Sequence, residues 1–332
     1  MKHSLTTITF LILFLFARCQ KEDQIQPDVS MKVKNYEGHY HIGFLTENKP
    51  MEISFFPCGV NQLFAIAKVR YFSGLADYRQ NIASHEFNSA TDWIGPYFVC
   101  GEENIQAGLP QKFTGGWHGS NGDGTGAPTA ITDQVSILVD GALFDSNGER
   151  SCEKVDFIVT NFIRGYDYSR SGKNLLRETV RYTVTPDRLI DVHVSIEALE
   201  DLRIQRYYGL QSQNFSIFDS VKYAANQLII NAEIVGTNSR CLSNTGTNTI
   251  ILCSRDNQRQ LKLELNTAEG LGTFAYLNDG LPRAFSANYR KSYFNLVNGK
   301  ELKMKKGEQV YWKGSYLFQN LKFSPIPNNS LN

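Results

Sequence analysis

The sequence has almost no net charge and lacks the short motifs that mark several common enzyme classes. It carries 34 Lys+Arg against 33 Asp+Glu, a formal net charge of +1. Without a basic patch to attract phosphates, no nucleic-acid partner is expected. The chain also has no Gly-x-Ser-x-Gly elbow, His-Glu-x-x-His helix, P-loop or Rossmann fingerprint. A nucleotide-dependent enzyme or a metalloprotease therefore has no support in the sequence.

Long hydrophobic runs are missing as well, except at the N-terminus. Residues 5–17 are apolar, and Arg18, Cys19 and a polar, partly acidic segment follow. The run is too short to span a bilayer and is typical of a signal peptide over residues 1–18. Cys19 and the residues after it resemble a bacterial lipoprotein signal with the export tag of Bacteroidetes-type surface lipoproteins, although Arg18 replaces the usual Gly, Ala or Ser. The resemblance implies a lipid on Cys19, a polar linker over 19–30 and a surface-exposed place on the outer membrane; an ordinary secretory signal is the alternative.

Cysteine is scarce, with six residues in the chain. No Cys-x-x-Cys or Cys/His ligand spacing occurs, so structural zinc is not expected. An exported protein with an odd number of cysteines after Cys19 has at least one free thiol. Cys241 and Cys253 flank a predicted turn and could form a disulfide across a hairpin. Buried free thiols are the alternative.

The composition favours strands over helices. Aromatic residues make up 12% of the chain, and segments rich in β-branched and aromatic residues recur between turn residues. The sequence therefore predicts an all-β fold with few helices: a large antiparallel β-sandwich or multi-sheet supersandwich, in a single domain over 31–332. A short helical turn is predicted over 197–202. The clearest predicted strands cover residues 53–56, 63–71, 135–139, 155–160, 178–185, 189–197, 228–235, 260–265 and 310–318.

The strand over 189–197 alternates strictly between apolar and polar residues. Its apolar side chains are predicted to pack on a core, while its polar side chains line solvent or a cleft. The polar face includes His193 between Asp191 and Ser195. A carboxylate beside a histidine can fix its tautomer and raise its basicity, so His193 is a candidate base.

A glycine-rich loop over 113–129 is the most unusual segment. Glycine permits close backbone approach, so such a loop can hold polar side chains against a ligand. Trp117, His118, Asn121 and Asp123 are the candidates here. Calcium binding through Asn121 and Asp123 is conceivable, but the ligands are too few, so no cofactor is predicted. A merely connecting hairpin loop is the alternative.

Two further segments combine aromatic and basic residues. Arg206 and Tyr208 lie in one, and Tyr289 and Arg290 in the other. Arginine can bind a carboxylate through two hydrogen bonds, and a tyrosine can give or accept a proton. Packing within the sandwich is the alternative for the tyrosines.

Glu37, His39 and His41 are the strongest candidates for metal ligands. In a strand these three side chains would share one face. The same alternation is common on exposed edge strands, and no further ligand is identifiable. No metal site is therefore predicted. His85 has no motif around it and is predicted to be a surface residue.

The lipoprotein-like signal, the glycine loop and the segment over 181–211 resemble carbohydrate-active lipoproteins with a mutarotase-like supersandwich, a group that includes polysaccharide lyases. This resemblance implies a uronate-containing polysaccharide substrate cleaved by β-elimination. By residue type, it assigns substrate binding to Trp117 by stacking, to Arg290, and to Asn121 or Arg206 by neutralising the carboxylate. His118 or His193 would be the base and Tyr208 or Tyr289 the acid.

Three alternatives remain open at this stage. Exposed aromatic residues suit a non-catalytic glycan-binding lipoprotein of an uptake system equally well. A glycoside hydrolase would need two carboxylates, for which Asp123 with Asp191 or Glu197 are candidates. A structural envelope protein would leave the clusters scattered on different faces.

Overall fold

The computed structural model describes residues 30–46, 49–88, 92–213, 217–226, 228–242 and 245–320. Strands make up 59% and helices 7%, which confirms the predicted all-β class. The signal segment, Cys19 and the linker up to residue 29 lie outside the described residues. In the described ranges, no helix is long and apolar enough to cross a membrane.

The first sheet is antiparallel and has six strands, and it contains the N-terminal part of the described chain. Its order in space is β5 (His85–Asn88), β4 (Leu63–Tyr71), β3 (Met51–Cys58), β2 (His39–Leu45), β1 (Ser30–Tyr36) and β9 (Gly148–Cys152).

The second sheet is antiparallel and has ten strands. Its order in space is β15 (Leu228–Ile234), β14 (Phe218–Ala225), β17 (Thr249–Ser254), β18 (Arg259–Leu265), β22 (Gln309–Asn320), β12 (Leu189–Ala198), β11 (Asn174–Val184), β10 (Val155–Arg164), β7 (Ala130–Val139) and β8 (Ala142–Leu143).

The third sheet carries most of the aromatic and basic candidates. Its order in space is β16 (Arg240–Leu242), β20 (Pro282–Ser286), β21 (Lys291–Met304), β13 (Leu202–Gln213) and β6 (Tyr97–Gly101), with β19 (Tyr276–Leu277) parallel to β21. Short helices α1 (Leu75–Arg79) and α2 (Tyr168–Ser171) and the 3₁₀ turns Glu102–Ala107 and Gly270–Thr273 lie between strands.

Both smaller sheets pack against one face of the ten-stranded sheet, its inner face. Phe55 of the first sheet stacks on Phe157 of β10, with ring centroids 4.2 Å apart. Trp312 of β22 donates its indole N–H to the hydroxyl of Tyr207 of the third sheet at 2.7 Å. All four side chains are fully buried, and burial of each such apolar side chain contributes about 1.5–3 kcal/mol. The opposite face of the ten-stranded sheet, its outer face, is turned to solvent.

Strand β12 shows the predicted alternation. Its side chains at 190, 192, 194 and 196 are buried on the inner face, whereas Asp191 and His193 point outward and are exposed. The helical turn predicted over 197–202 is wrong. Ala198 is still in a ladder with Leu176, and the N–H of Leu199 bonds to the carbonyl of Leu175 at 2.8 Å. Neighbouring strands therefore satisfy the backbone that a helical turn would have used.

Two smaller expectations are also corrected. All five described cysteines are buried free thiols, so Cys241 and Cys253 do not form a disulfide. Glu37 does not share a strand face with His39 and His41, because it occupies the turn before β2 with φ of +52°. In the part of the chain that is described, no group of three or more His, Cys, Asp or Glu side chains could hold a metal ion.

Candidate functional site

A buried carboxylate connects the glycine loop to the third sheet. The side chain of Asp92 has no exposed surface, and its Oδ1 accepts the backbone N–H of Trp117 at 2.5 Å. Its Oδ2 accepts a hydrogen bond from the ammonium of Lys291, the first residue of β21, at 2.9 Å. The Nδ1 atom of His118 lies 3.4 Å from Oδ1. Asp92 thus contacts a cation, an imidazole and the loop backbone together.

The charge of Asp92 is maintained by these neighbours. Burial by itself raises the pKa of a carboxyl group, because a dry environment disfavours the anion. Here Lys291, His118 and the N–H of Trp117 outweigh burial and hold the pKa of Asp92 well below its usual range. These contacts therefore favour the ionised form of the Asp92 carboxyl group.

Asn61 holds the base of the glycine loop in place. Its side-chain NH₂ donates to the carbonyls of Gly116 at 2.7 Å and His118 at 3.1 Å. Its side-chain oxygen accepts the N–H groups of Thr129 at 2.7 Å and Ala130 at 3.1 Å. Because Asn61 is itself buried, this network fixes the backbone on both sides of the loop.

The close approach between loop and carboxylate requires glycine at position 116. Gly116 has φ of +51°, and a Cβ atom there would lie 1.9 Å from Oδ1 of Asp92. Any other residue would push the carboxylate away from Trp117 and His118. The close backbone approach expected of this loop is present at Gly116, where the partner is a buried carboxylate.

Aromatic rings complete the site on its other side. The ring of Phe113 lies 5.3 Å from that of His118 and 5.7 Å from that of Tyr208. Tyr208 lies 4.9 Å from Tyr293, and the ammonium of Lys291 lies 5.0 Å from the centroid of Tyr293. These contacts close a circuit, called here the site ring: Asp92, Phe113, His118, Tyr208, Lys291 and Tyr293.

Arg206 lies beside the site ring. Side chains alternate along β13, so Arg206 and Tyr208 share a face while Tyr207 points into the core. The guanidinium of Arg206 sits 5.0 Å from the centroid of Phe98, and Phe98 contacts Phe113 at 4.0 Å. Burial raises the pKa of Tyr208; Arg206 lowers it, nearby Tyr289 raises it, and the net result is a raised pKa. Tyr208 thus keeps its proton near neutral pH.

Some of the buried polar atoms without a hydrogen-bond partner belong to residues of this site or of the strands that carry it. Such an atom costs about 1–3 kcal/mol when it stays unpaired, and a ligand that pairs it recovers that free energy. Among the described residues, these atoms include His118 Nδ1, Arg206 Nε, Asn295 Oδ1 and both amide atoms of Gln211. The contact of His118 with Asp92 is therefore close but lacks hydrogen-bond geometry.

The other predicted residues of this region have more peripheral places. Tyr289 is 64% exposed and accepts a hydrogen bond from Tyr293 at 2.9 Å, so it lies at the solvent edge of the site ring. Arg290 is exposed and donates to the carbonyl of Phe218 at 2.9 Å. Trp117 is half-buried and packs over Gly59, so it does not form an open stacking platform.

The tip of the glycine loop forms a local turn. Asn121 and Asp123 are both exposed. Asn121 donates to the hydroxyl of Thr125 at 3.0 Å, and Asp123 accepts the N–H of Thr125 at 2.9 Å. These contacts explain the two polar residues as turn-forming groups.

His193 belongs to a different region. It projects from the outer face of the ten-stranded sheet, where its ring lies 5.9 Å from Tyr311. Register places Lys313 directly opposite it on β22. The site ring, by contrast, combines β13 and β21 of the third sheet with Asp92 before β6 and the glycine loop between β6 and β7. The two histidines predicted as alternative bases are therefore on separate surfaces.

Sequence reasoning missed Asp92, Lys291 and Tyr293. Lys291 and Tyr293 belong to the aromatic and basic segment that was noticed around Tyr289, so a signal was present. Asp92 has no motif around it, and only its long-range contact with Lys291 reveals it.

Comparison with known proteins yields only distant structural neighbours. No family model and no curated protein matches the sequence. A heparan sulfate lyase HepC mutant from Pedobacter heparinus is similar at a TM-score of 0.35 and 10% identity, over 87% of this chain and 36% of that one. A galactose mutarotase related enzyme from Lactobacillus acidophilus is similar at 0.34 and 9%, over 86% and 100%. The chain spans about a third of the lyase, and similarity at this level defines neither a family nor an activity.

Proposed function

We propose that the protein cleaves a uronate-containing polysaccharide by β-elimination at the site ring. The observation that carries the proposal is that His118 and Tyr208 contact the same ring, Phe113, with Arg206 alongside. A base, an acid and a cation thus come together beside an aromatic surface. Of the pairs left open by the sequence, this arrangement favours His118 as base, Tyr208 as acid and Arg206 as the neutralising group.

Neutralisation of the uronate carboxylate is the first requirement. The C5 proton next to a carboxylate is weakly acidic until that negative charge is balanced. Arg206 is half-buried, stacks on Phe98, and has a buried Nε atom without a partner among the described residues. A guanidinium can donate two hydrogen bonds to a carboxylate, and the carboxylate of a uronate would accept them.

Proton transfer is assigned to His118 and Tyr208. A carboxylate facing Nδ1 favours the tautomer that carries its proton there, which leaves Nε2 free to take the C5 proton. The 3.4 Å separation between Nδ1 and Asp92 suits a catalytic contact that tightens when substrate binds. Tyr208, protonated at neutral pH, would give its proton to the leaving oxygen as the C4–O bond breaks and the C4–C5 double bond forms.

The place of action in the cell is part of the same proposal. The signal-like residues 1–18 and Cys19 support export and a lipid anchor on the outer membrane, with the domain facing outward. Metabolic labelling of growing cells with tritiated palmitate tests the lipid anchor. Comparison of antibody binding to intact and to lysed cells tests whether the domain faces outward. A Cys19→Ala variant that is still labelled would contradict the anchor.

Activity is tested with a panel of uronate-containing polysaccharides, followed by the ultraviolet absorbance of unsaturated products. We expect one or more acidic glycans to be cleaved, and Tyr208→Phe to reduce the rate about 100-fold or more while substrate still binds. Tyr36→Phe is the matched control, since Tyr36 is 58% exposed at the end of β1. Binding of acidic glycans without any cleavage would contradict the proposal and favour a glycan-binding lipoprotein.

A further inference from the structure

A polar cleft opens on the outer face of the ten-stranded sheet, away from the site ring. Its volume is about 420 Å³, within the range of small-molecule binding sites. Strands β12, β18 and β22 form its floor, and the loop after β18 forms one wall. Its polar side chains include those of Asp191, Asn248, Glu264, Asn266, Lys313 and Ser315.

The sheet register explains why these side chains converge. Asp191 of β12 and Glu264 of β18 are both paired with Ser315 of the intervening strand β22. Residues paired across neighbouring strands point to the same face. A carboxylate, a hydroxyl and a second carboxylate therefore form one row across the cleft floor.

Several of these groups have hydrogen-bonding capacity that the protein does not use. Within the described residues, the side chains of Asp191, Ser315 and Thr267 make no hydrogen bond or ion pair. Among the described side chains, Glu264 forms an ion pair with Lys262 of its own strand and with no other. The cleft floor therefore offers acceptors for several donors at once.

The charges of the cleft determine which ligands fit. Lys313 is engaged by Glu269 at 2.8 Å, so it does not offset Asp191. An acidic ligand would meet the Asp191 and Glu264 carboxylates. A metal ion would lack ligands, because no group of three suitable side chains exists among the described residues. Hydroxyl groups, which can donate to both carboxylates and to Ser315, fit without either problem.

An aromatic ring lies next to one cleft-lining residue: the ammonium of Lys313 is 5.6 Å from the ring centroid of Tyr311. Tyr311 is 36% exposed, is held by a hydrogen bond from its hydroxyl to Glu269 at 3.0 Å, and lies beside His193. Flat rings flanked by hydroxyl acceptors suit a sugar, which has apolar ring faces and polar edges. We propose that this cleft is a second, non-catalytic site that binds a neutral saccharide, independently of the site ring.

The test uses calorimetric titration of the His118→Ala protein, so that any cleavage at the site ring plays no part. The ligands are malto-, cello-, xylo- and mannohexaose. We expect at least one to bind, and Asp191→Asn or Ser315→Trp to weaken its affinity at least tenfold. Asp133→Asn is the matched control, because Asp133 is exposed on β7 of the same sheet.

Three outcomes would overturn the proposal. These are no binding of any of the four hexasaccharides, binding that both cleft variants leave unchanged, or loss of binding in the Asp133→Asn control. Because the titration needs no catalytic activity, these outcomes are separate from a failure to cleave acidic glycans. Circular dichroism of each variant identifies loss of fold, and Asp191→Asn, a surface change of one atom, remains informative if Ser315→Trp misfolds.

Discussion

The two histidines that the sequence presents as alternative bases have contrasting surroundings. His193 lies between Asp191 and Ser195 in the sequence, yet all three project from the outer face of a sheet, and His193 is exposed. His118 has no carboxylate nearby in the sequence except Asp123 at the loop tip, yet it contacts buried Asp92. The carboxylate nearest to His118 in the structure therefore comes from a distant segment of the sequence, which the spacing of residues along one strand does not reveal.

The largest expected effect is a difference between the two histidines when each imidazole is removed in turn. We expect His118→Ala to reduce cleavage of the acidic substrate by about 10²- to 10⁴-fold, the usual contribution of a general base. His193→Ala should leave the rate within about twofold, because it lies on a separate surface. Initial rates from the absorbance of unsaturated product measure both. Equal losses in the two variants, or a loss only in His193→Ala, would contradict the assignment.

The melting temperature separates a catalytic from a structural role for His118. Its side chain is 19% exposed and lies at the edge of the glycine loop, beside Phe113, so His118→Ala should retain a folded protein. Activity that falls only in proportion to the folded fraction would identify His118 as structural. Imidazole added to the His118→Ala enzyme offers a further check, since partial recovery of the rate is expected only of a missing base.

The next effect in size concerns the buried ion pair of Asp92 and Lys291. Asp92→Asn leaves the buried ammonium of Lys291 without its counterion, and we expect a loss of about 3–5 kcal/mol in the free energy of unfolding. The exposed pair of Asp201 and Lys305, 2.8 Å apart, is the matched comparison. Asp201→Asn should cost at most about 1 kcal/mol.

Urea denaturation measures both changes. Losses of equal size would show that Asp92 contributes no more than a surface carboxylate. Adding Lys291→Met to Asp92→Asn should restore part of the lost stability, because the unpaired buried charge is then removed. A double variant no more stable than Asp92→Asn would contradict this explanation.

The fold was easier to predict than the site, and the reason is physical. Strand β12 is predictable because apolar and polar residues alternate along it. Its inner and outer faces therefore follow from the local sequence. The site ring depends instead on Asp92 and Lys291, which are 199 residues apart in sequence and meet only in the folded chain. His118, Tyr208 and Arg206 could be singled out as candidates because a glycine loop and an aromatic, basic strand are unusual locally. Tyr289 was a candidate too, but it lies only at the edge.

A third prediction compares the inner and outer faces of the ten-stranded sheet through Glu178. This residue is buried on the inner face, where it accepts hydrogen bonds from Tyr97 at 2.5 Å and Asn161 at 3.1 Å. Burial raises the pKa of Glu178 in spite of both bonds, and nearby Asp92 adds to the effect. The folded protein therefore holds this proton more tightly than the unfolded chain.

The sign of the effect on stability follows by linkage. Below the unfolded carboxyl pKa of about 4.3, both states are protonated and the favourable contribution is fully present. It is lost as the pH rises towards the folded pKa. Glu178→Gln cannot lose a proton, so its free energy of unfolding relative to the wild type should increase with pH above about 4. Urea denaturation at several pH values tests this, and parallel curves for the two proteins would contradict it.

The smallest expected effect concerns Asp191, the outer-face carboxylate beside His193. Partial burial against the cleft wall raises its pKa, and the neighbouring Asp187 carboxylate adds to the increase. The sign is therefore that of Glu178, but the side chain is partly hydrated, so the effect is small. At neutral pH we expect Asp191→Asn to stabilise the protein by no more than about 0.5 kcal/mol, and this gain should vanish below the unfolded pKa of about 3.9.

Asp133→Asn controls for the loss of one surface charge. A stabilisation of equal size in Asp133→Asn would show that the gain does not depend on the surroundings of Asp191. A loss of stability in Asp191→Asn at neutral pH would instead mean that its carboxylate has a favourable partner in solution. The His193 surface would then resemble the site ring in having a carboxylate that a neighbouring group stabilises.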